Sequence, residues 1–297
     1  MLKLHDLAYF CSLYRLKTFT AVAKAFNVEQ PTVTLAIKRL ETSLQATLVF
    51  RNRSKGIIQI TPAGEILYRH ANRMLQDANL AQIEIKQYAN HKIRFGLPPI
   101  IGSLYFPQIV NEVIQTGLLK NLEIDETGSQ QLLNDLLGGK IDIALLATLL
   151  PVKNDRIKID FLGSRNFYII SAVDHWLATK STVDFQQLKN ESFISLNGKF
   201  IHEELLRLYS HQAHFKPKVV FETQSISTLK KLVARNAGIG LLVGDAVNQH
   251  DQLSLTKIVP ALPEKFNISV VTRKNYLPDE SEKKFIEKLL LLKQKMA

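Results

Sequence analysis

One cysteine in 297 residues, Cys11, excludes any intramolecular disulfide. It falls on the apolar side of an expected helix and reads as small core filler rather than a reactive thiol. No uncharged apolar stretch approaches the length of a membrane span, since Ile143 to Val152 is short and contains Pro151. The start, M-L-K-L-H-D-L-A-Y-F, lacks the apolar run and small-residue cleavage site of a secretory signal, so a cytoplasmic protein with no membrane partner is expected. Catalytic signatures are missing as well. Gly238, Gly240 and Gly244 lack dinucleotide spacing, and His202-Glu203-Glu204 lacks the second His of a zinc protease. His211 and His214 have no Cys or acid at ligand spacing and read as a solvated helix end. No G-x-S-x-G elbow activates Ser195 or another serine. Neither an enzyme nor a metal or cofactor site is expected, and no internal repeat or low-complexity segment is present.

What the chain does have is positive charge, +11 in all, spread unevenly. Residues 1–60 hold nine Lys/Arg against three acids, while the remaining 237 hold 29 against 24. A polyanion partner at the N-terminal end is implied. That end contains two short amphipathic segments with a tight connection. In the first, Val22, Ala23, Ala25 and Phe26 recur at helical spacing after Thr20, read as the N-cap. Asn27 suits the sharp turn. The second opens at Gln30-Pro31, and Val33, Ala36, Ile37, Leu40 and Leu44 form its apolar stripe, leaving Thr32, Thr34, Lys38, Arg39 and Glu41 outward. This is the pattern of a helix-turn-helix; a helical hairpin with a merely solvated face would share it. The hydroxyls of Thr20, Thr32 and Thr34 suit phosphates, Gln30 suits an adenine edge, and Lys38 or Arg39 can reach phosphate or guanine.

An earlier helix carries Leu4, Leu7, Phe10, Cys11 and Tyr14 across the hairpin. Downstream, Leu48 to Arg51 and Ile57 to Thr61 can pair around Asn52 to Gly56 as a β-wing, with Arg51, Arg53 and Lys55 at its tip. Residues 1–90 thereby resemble the winged helix-turn-helix of LysR-type transcriptional regulators. The matching positions are Gln30, Pro31, Val33, Thr34, Ile37, Leu40, Glu41, Leu48, Val49, Arg51, Ile60, Thr61 and Gly64. Two positions depart: Glu29 stands where the family often has Ser, and Leu35 where many members carry a base-reading Arg. The resemblance implies a docking mode on double-stranded DNA, not the base contacts themselves.

From Thr61-Pro62 a long helix is expected to run to about Asn90. Leu67, Ala71, Met74, Ala78, Ala81, Ile85 and Tyr88 repeat at alternating spacings of four and three, a heptad seam. In the family this linker helix pairs with that of a second subunit, implying a homodimer or homotetramer. Beyond it the pattern alternates. Strands are expected at 93–97, 122–127, 141–147, 167–172, 193–196, 219–223, 239–243 and 268–272, all largely buried. Helices are expected at 103–115, 129–137, 202–211, 225–236 and 281–295. This is an α/β pattern with mostly parallel sheets. Phe161 to Arg165 reads as a crossover into a second lobe and Pro260 to Lys265 as the return.

G-G-K-I-D-I-A-L (Gly138 to Leu145), D-H-W-L-A (Asp174 to Ala178) and L-V-A-R-N-A-G-I-G-L-L-V (Leu232 to Val243) resemble motifs of the same family's effector domain. Trp176 and Val243 stand where prolines are usual. The whole chain therefore divides into a winged helix-turn-helix head (1–60), a linker helix (61–91) and a two-lobed α/β effector domain of periplasmic-binding-protein type (92–297). Lobe I comprises 92–164 with 266–297, and lobe II 165–265.

A cleft between such lobes is lined by strand ends and helix starts. Ser103, Ser129 and Ser225 are each read as opening a helix, where free N–H groups bind a small carboxylate; Ser is equally the ordinary N-cap. Ser195, Asn197 and Gln224 would face the same space, with Ile100 and Ile101 making one wall stiff and apolar. L-P-P-I-I-G-S and R-N-R-S-K-G are similar to regulators of malolactic fermentation in lactic acid bacteria, implying a dicarboxylate effector. Two other classes share parts of the pattern, a two-lobed solute receptor and a nucleoid-type DNA binder. The basic head argues against the first, and some 200 residues of α/β sequence argue against the second.

Overall fold

The α1 helix, Leu4–Leu16, buries Leu7, Phe10, Cys11 and Leu13 along one face, as its apolar spacing requires. This computed structural model describes residues 1–51, 58–88, 92–198 and 200–296, and the chain forms two units, Met1–Asn90 and His91–Ala297. In the first unit α2, Phe19–Ala25, starts two residues earlier than Thr20 as N-cap would place it. Thr18 is the N-cap, its Oγ1 accepting the Ala21 N–H at 3.3 Å, and Thr20 is an exposed residue of the first turn. Asn27 takes a left-handed φ of 52° in the turn. Helix α3, Gln30–Leu44, buries Val33, Ala36, Ile37 and Leu40; Leu44 is exposed because the stripe has rotated off the core by the last turn.

Strands β1, Val49–Arg51, and β2, Ile58–Ile60, pair antiparallel, and α4, Pro62–Tyr88, follows. Glu41 is not a solvated outer residue: its carboxylate accepts the Leu48 and Val49 N–H groups at 2.9 and 3.3 Å and sets where β1 begins. Thr61 donates to the Thr47 carbonyl and accepts the Gly64 N–H, capping α4. A Cβ on Gly64 would collide with the Leu48 carbonyl oxygen, so only glycine fits beneath the hairpin. Tyr14 of α1 stacks on Tyr68 of α4 at 3.6 Å and donates to Glu65.

The second unit alternates strands and short helices. In chain order these are β3 Ile93–Leu97, α5 Pro99–Leu104, α6 Val110–Gln115, β4 Leu122–Glu126, α7 Ser129–Leu137, β5 Ile143–Thr148, β6 Ile157–Arg165 and β7 Phe167–Ala172. Then come β8 Thr182–Val183, β9 Ser192–Leu196, α8 Ile201–Gln212, β10 Lys218–Thr223, α9 Ile226–Ala234, β11 Gly240–Val243, β12 Leu253–Ile258, β13 Phe266–Arg273, α10 Glu280–Leu290 and α11 Leu292–Lys295. One sheet has the order β4-β3-β5-β13-β6, parallel except for β13, which lies antiparallel between β5 and β6. The other has the order β11-β7-β12-β8, with β7 antiparallel to both neighbours. Strands β9 and β10 pair in parallel, and Phe193 bridges to Ile239 just before β11.

Several expectations change. The helix expected over 103–115 is broken: α5 ends before Tyr105, and a 3-10 turn at Phe106–Ile109 contains Pro107, which cannot donate to a continuing helix. The crossover at 161–165 is part of strand β6, and Asn166 alone separates it from β7. β8 and β12 were not expected. β10 is an exposed strand rather than a buried one, with Val219, Val220 and Phe221 open to solvent.

Asp142, just before β5, is the polar anchor of the five-stranded sheet. It accepts from Arg94 Nε and Nη2 at 2.8 and 2.6 Å and from Arg273 Nη2 at 2.7 Å. The same guanidiniums donate to carbonyls of Gly139, Leu136 and Ile141, closing the C-terminal end of α7.

Candidate DNA interface and effector cleft

On α3 the exposed side chains lie opposite the buried stripe. Gln30, Pro31, Thr32, Leu35 and Lys38 are exposed and Thr34 half-buried, so the α3 residues expected to meet DNA share one side of that helix. Arg39 is committed elsewhere: its Nε and Nη2 grip Asp6 of α1 at 2.9 and 2.6 Å, and Asp6 is buried. That fork fixes the angle between α1 and α3, and Arg39 has less freedom to reach a base than Lys38. Arg51 ends β1; Arg53 and Lys55, with the turn 52–56, lie outside the described residues.

The heptad positions of α4 divide into two sets. Leu67 and Ala71 are buried in the head's own core beside Leu7 and Leu40, so they are not free to meet a second subunit. Met74, Ala81 and Ile85 are exposed, Ile85 at 75 %, and Ala78 is half-buried.

In the second unit a cavity of about 1200 Å³ brings Ser129 and Ser195 together with Thr127, Gln131, Phe200 and Arg207. Two helices start on it. α7 begins after Gly128 and α8 after Phe200, and neither N-cap residue has a side chain that caps the helix. Their first N–H groups therefore keep their hydrogen-bonding capacity. α8 already carries Glu203 and Glu204 in its first turn, whose charges answer its positive end, and Glu203 also accepts the Gly198 N–H. α7 has no acid in its first turn. Ser129 Oγ accepts the Ala147 N–H at 3.0 Å, which leaves its own proton to donate. An anion is best placed at α7.

Other expected contacts fall elsewhere. Ile100 and Ile101 are fully in the core and cannot wall a cleft. Ser103 lies inside α5, not at its start, donates to the Ile100 carbonyl, and lines a second cavity of about 670 Å³ with Ser227 and Lys230. Ser225 is consumed as the N-cap of α9, accepting the Thr228 N–H at 3.1 Å. Asn197, Gln224 and Ser225 line neither cavity. Sequence reasoning missed Phe200 and Arg207; a helix following a residue that cannot cap was the available signal.

Next to Phe200, His202 turns the other way, into the rings of Phe167 at 5.2 Å and Phe266 at 6.1 Å. Neither ring nitrogen has a hydrogen-bond partner, and burial pushes its pKa down to about 3. A folded pKa below the unfolded value of about 6.5 gives full stability above that value and loses it as pH falls toward 3. Urea titrations between pH 7 and 4 should show a loss approaching about 1.4 kcal/mol per pH unit from this group. His202→Phe should flatten that slope; an unaltered slope would show that the ring titrates as if exposed.

A basic helix-turn-helix followed by an α/β unit with a ligand-sized cavity defines a ligand-responsive DNA-binding regulator. Residues 4–65 match the bacterial regulatory helix-turn-helix protein of the lysR family, and residues 86–291 match the LysR substrate binding domain. The chain belongs to the LysR family of transcriptional regulators, which are not enzymes; its members bind DNA and small-molecule effectors and act as oligomers. It is 34% identical over 295 residues to the malolactic fermentation system transcriptional activator of Lactococcus lactis subsp. lactis, covering 98% of this chain and 99% of that one. Among solved structures, the LysR family regulator HinK from Pseudomonas aeruginosa aligns over 100% of both chains with a TM-score of 0.56 at 20% identity. The effector binding domain of QuiR in complex with shikimate aligns over 69% of this chain and 97% of that one, with a TM-score of 0.57 at 19% identity. Both show the fold. No described helix is long and apolar enough to cross a membrane.

Proposed function

We propose that this regulator is switched by a small carboxylate seated at the N-terminus of α7, in the cavity shared by Ser129 and Ser195. The observation that carries the proposal is a helix start with no capping side chain and no acid in its first turn, opening on a cavity of about 1200 Å³. The L. lactis relative adds direction, because malolactic fermentation concerns the hydroxy acids malate and lactate. Residues 1–60 dock on operator DNA, 61–91 pair the subunits into a homodimer from which a homotetramer is built, and the protein works in the cytoplasm where that DNA is. Residues 92–164 with 266–297 form one lobe and 165–265 the other. A ligand touching α7 of the first lobe and Ser195 or Phe200 of the second favours the arrangement in which both contacts are made. Such a shift changes how paired heads engage the operator.

The test is thermal denaturation with malate, lactate, succinate and the uncharged diamide of malic acid. A cognate acid at a hundred times its Kd stabilises by about 2.7 kcal/mol. One acid should raise Tm strongly and the diamide should not. Equal shifts from acid and diamide would rule out an anion seat.

A further inference from the structure

Leu35 is the one large apolar side chain on the outward side of α3. It is 54 % exposed, whereas the apolar residues of the opposite stripe, Val33, Ala36, Ile37 and Leu40, are at most 1 % exposed. At helical spacing Pro31, Thr34, Leu35 and Lys38 form a single row, i, i+3, i+4 and i+7, so they meet one surface together. A row whose one large aliphatic member lies between Thr34 and Lys38 fits a target that is polar with one greasy spot. The major-groove edge of DNA is such a target: every base offers donors or acceptors there, and only thymine adds a methyl group.

We propose that Leu35 is a specificity-determining residue that packs on the 5-methyl group of a thymine in each half-site. The inference rests on α3 being the helix that enters the major groove. Thr34 and Gln30 satisfy neighbouring polar edges, Lys38 anchors one turn further along on phosphate, and the excess of six positive charges in residues 1–60 draws the head to the duplex. Burying Leu35 against the methyl recovers apolar free energy that the free protein leaves in water.

The full-length protein is first used to select its duplex from a random-sequence pool. Each thymine of that duplex is then replaced singly by deoxyuridine, which removes only the methyl. Wild-type protein should lose roughly fourfold in affinity at one position per half-site, the worth of one buried methyl group. Leu35→Ala should show no penalty at that position while keeping any penalty elsewhere, and Leu35→Met should keep it. Retention of every deoxyuridine penalty by Leu35→Ala would overturn the assignment. Lys38→Ala tests the docking of α3 separately from the contact of Leu35. Uniformly weaker binding with a shallower salt dependence supports α3 as the reading helix. An unchanged salt dependence would remove α3 from the interface and Leu35 with it.

Discussion

Asp142→Ala should destabilise the effector unit by about 3–5 kcal/mol, the cost of removing one partner from a buried ionic network. Asp142 is 3 % exposed and binds two guanidiniums, of which Arg273 is also buried. Removing the carboxylate takes away the anion that both guanidiniums share at the junction of β3, β5, β13 and the end of α7. The loss is large beside a typical total stability of about 5–15 kcal/mol, and at this size it lowers Tm by roughly 6–20 °C. Asp142→Asn, which keeps an acceptor but not the charge, should be less damaging. Calorimetry and urea unfolding read both variants. A cost below about 1 kcal/mol for Asp142→Ala would mean that the arginines find water or other acceptors easily.

Ala81→Glu combined with Ile85→Glu should separate the subunits and sharply weaken operator binding. Both side chains are exposed on the distal part of α4, one turn apart, and Ile85 has little intrachain burial to lose. If they form the seam, two glutamates per helix face two more across it, desolvated and unpaired. Light scattering should show the molar mass falling by half. Affinity for a two-half-site operator should drop by about 10²–10⁴-fold, because linking two heads raises their effective concentration by such factors. Affinity for a single half-site should stay the same. An undiminished molar mass would place the seam elsewhere. Leu67 and Ala71 are unsuitable for this test, since changes there would unfold the head.

The head was legible because its signals are local. The stripe Val33, Ala36, Ile37 and Leu40 and the turn at Asn27 each follow from neighbours within one or two helical turns. Strands buried on both faces, such as β3 and β7, were readable to the residue as short apolar runs. β6 and β12 were not, because each mixes polar residues, Lys158 and Asp160 or Ser254 and Lys257, into a half-exposed strand. The V-V-F run of β10 read as buried although it lies at the exposed margin of its pair. The heptad repeat of α4 correctly marked an apolar face, but spacing does not tell whether the covering partner is the same chain or another. Ser129 and Ser195 line one cavity, whereas Ser103 and Ser225 do not join it. A serine beside a helix start can itself be the cap and satisfy the N–H groups a ligand would need, as Ser225 does for α9. A ligand needs the opposite, and α7 and α8 follow Gly128 and Phe200, residues that offer no cap.

The position of β13 has a consequence for how the protein is made. β13 is buried along its whole length between β5 and β6, yet it lies some hundred residues downstream of both. A ribosome releases β7 through β12 first, as a contiguous stretch that can pair within itself. The earlier sheet cannot close until residues 266–273 have emerged. Until then the I-A-L-L-A-T edge of β5 is an unsatisfied row of backbone donors and acceptors, the kind of edge that recruits foreign strands. Chains broken off before Phe266 should therefore aggregate rather than survive as a slightly shorter regulator.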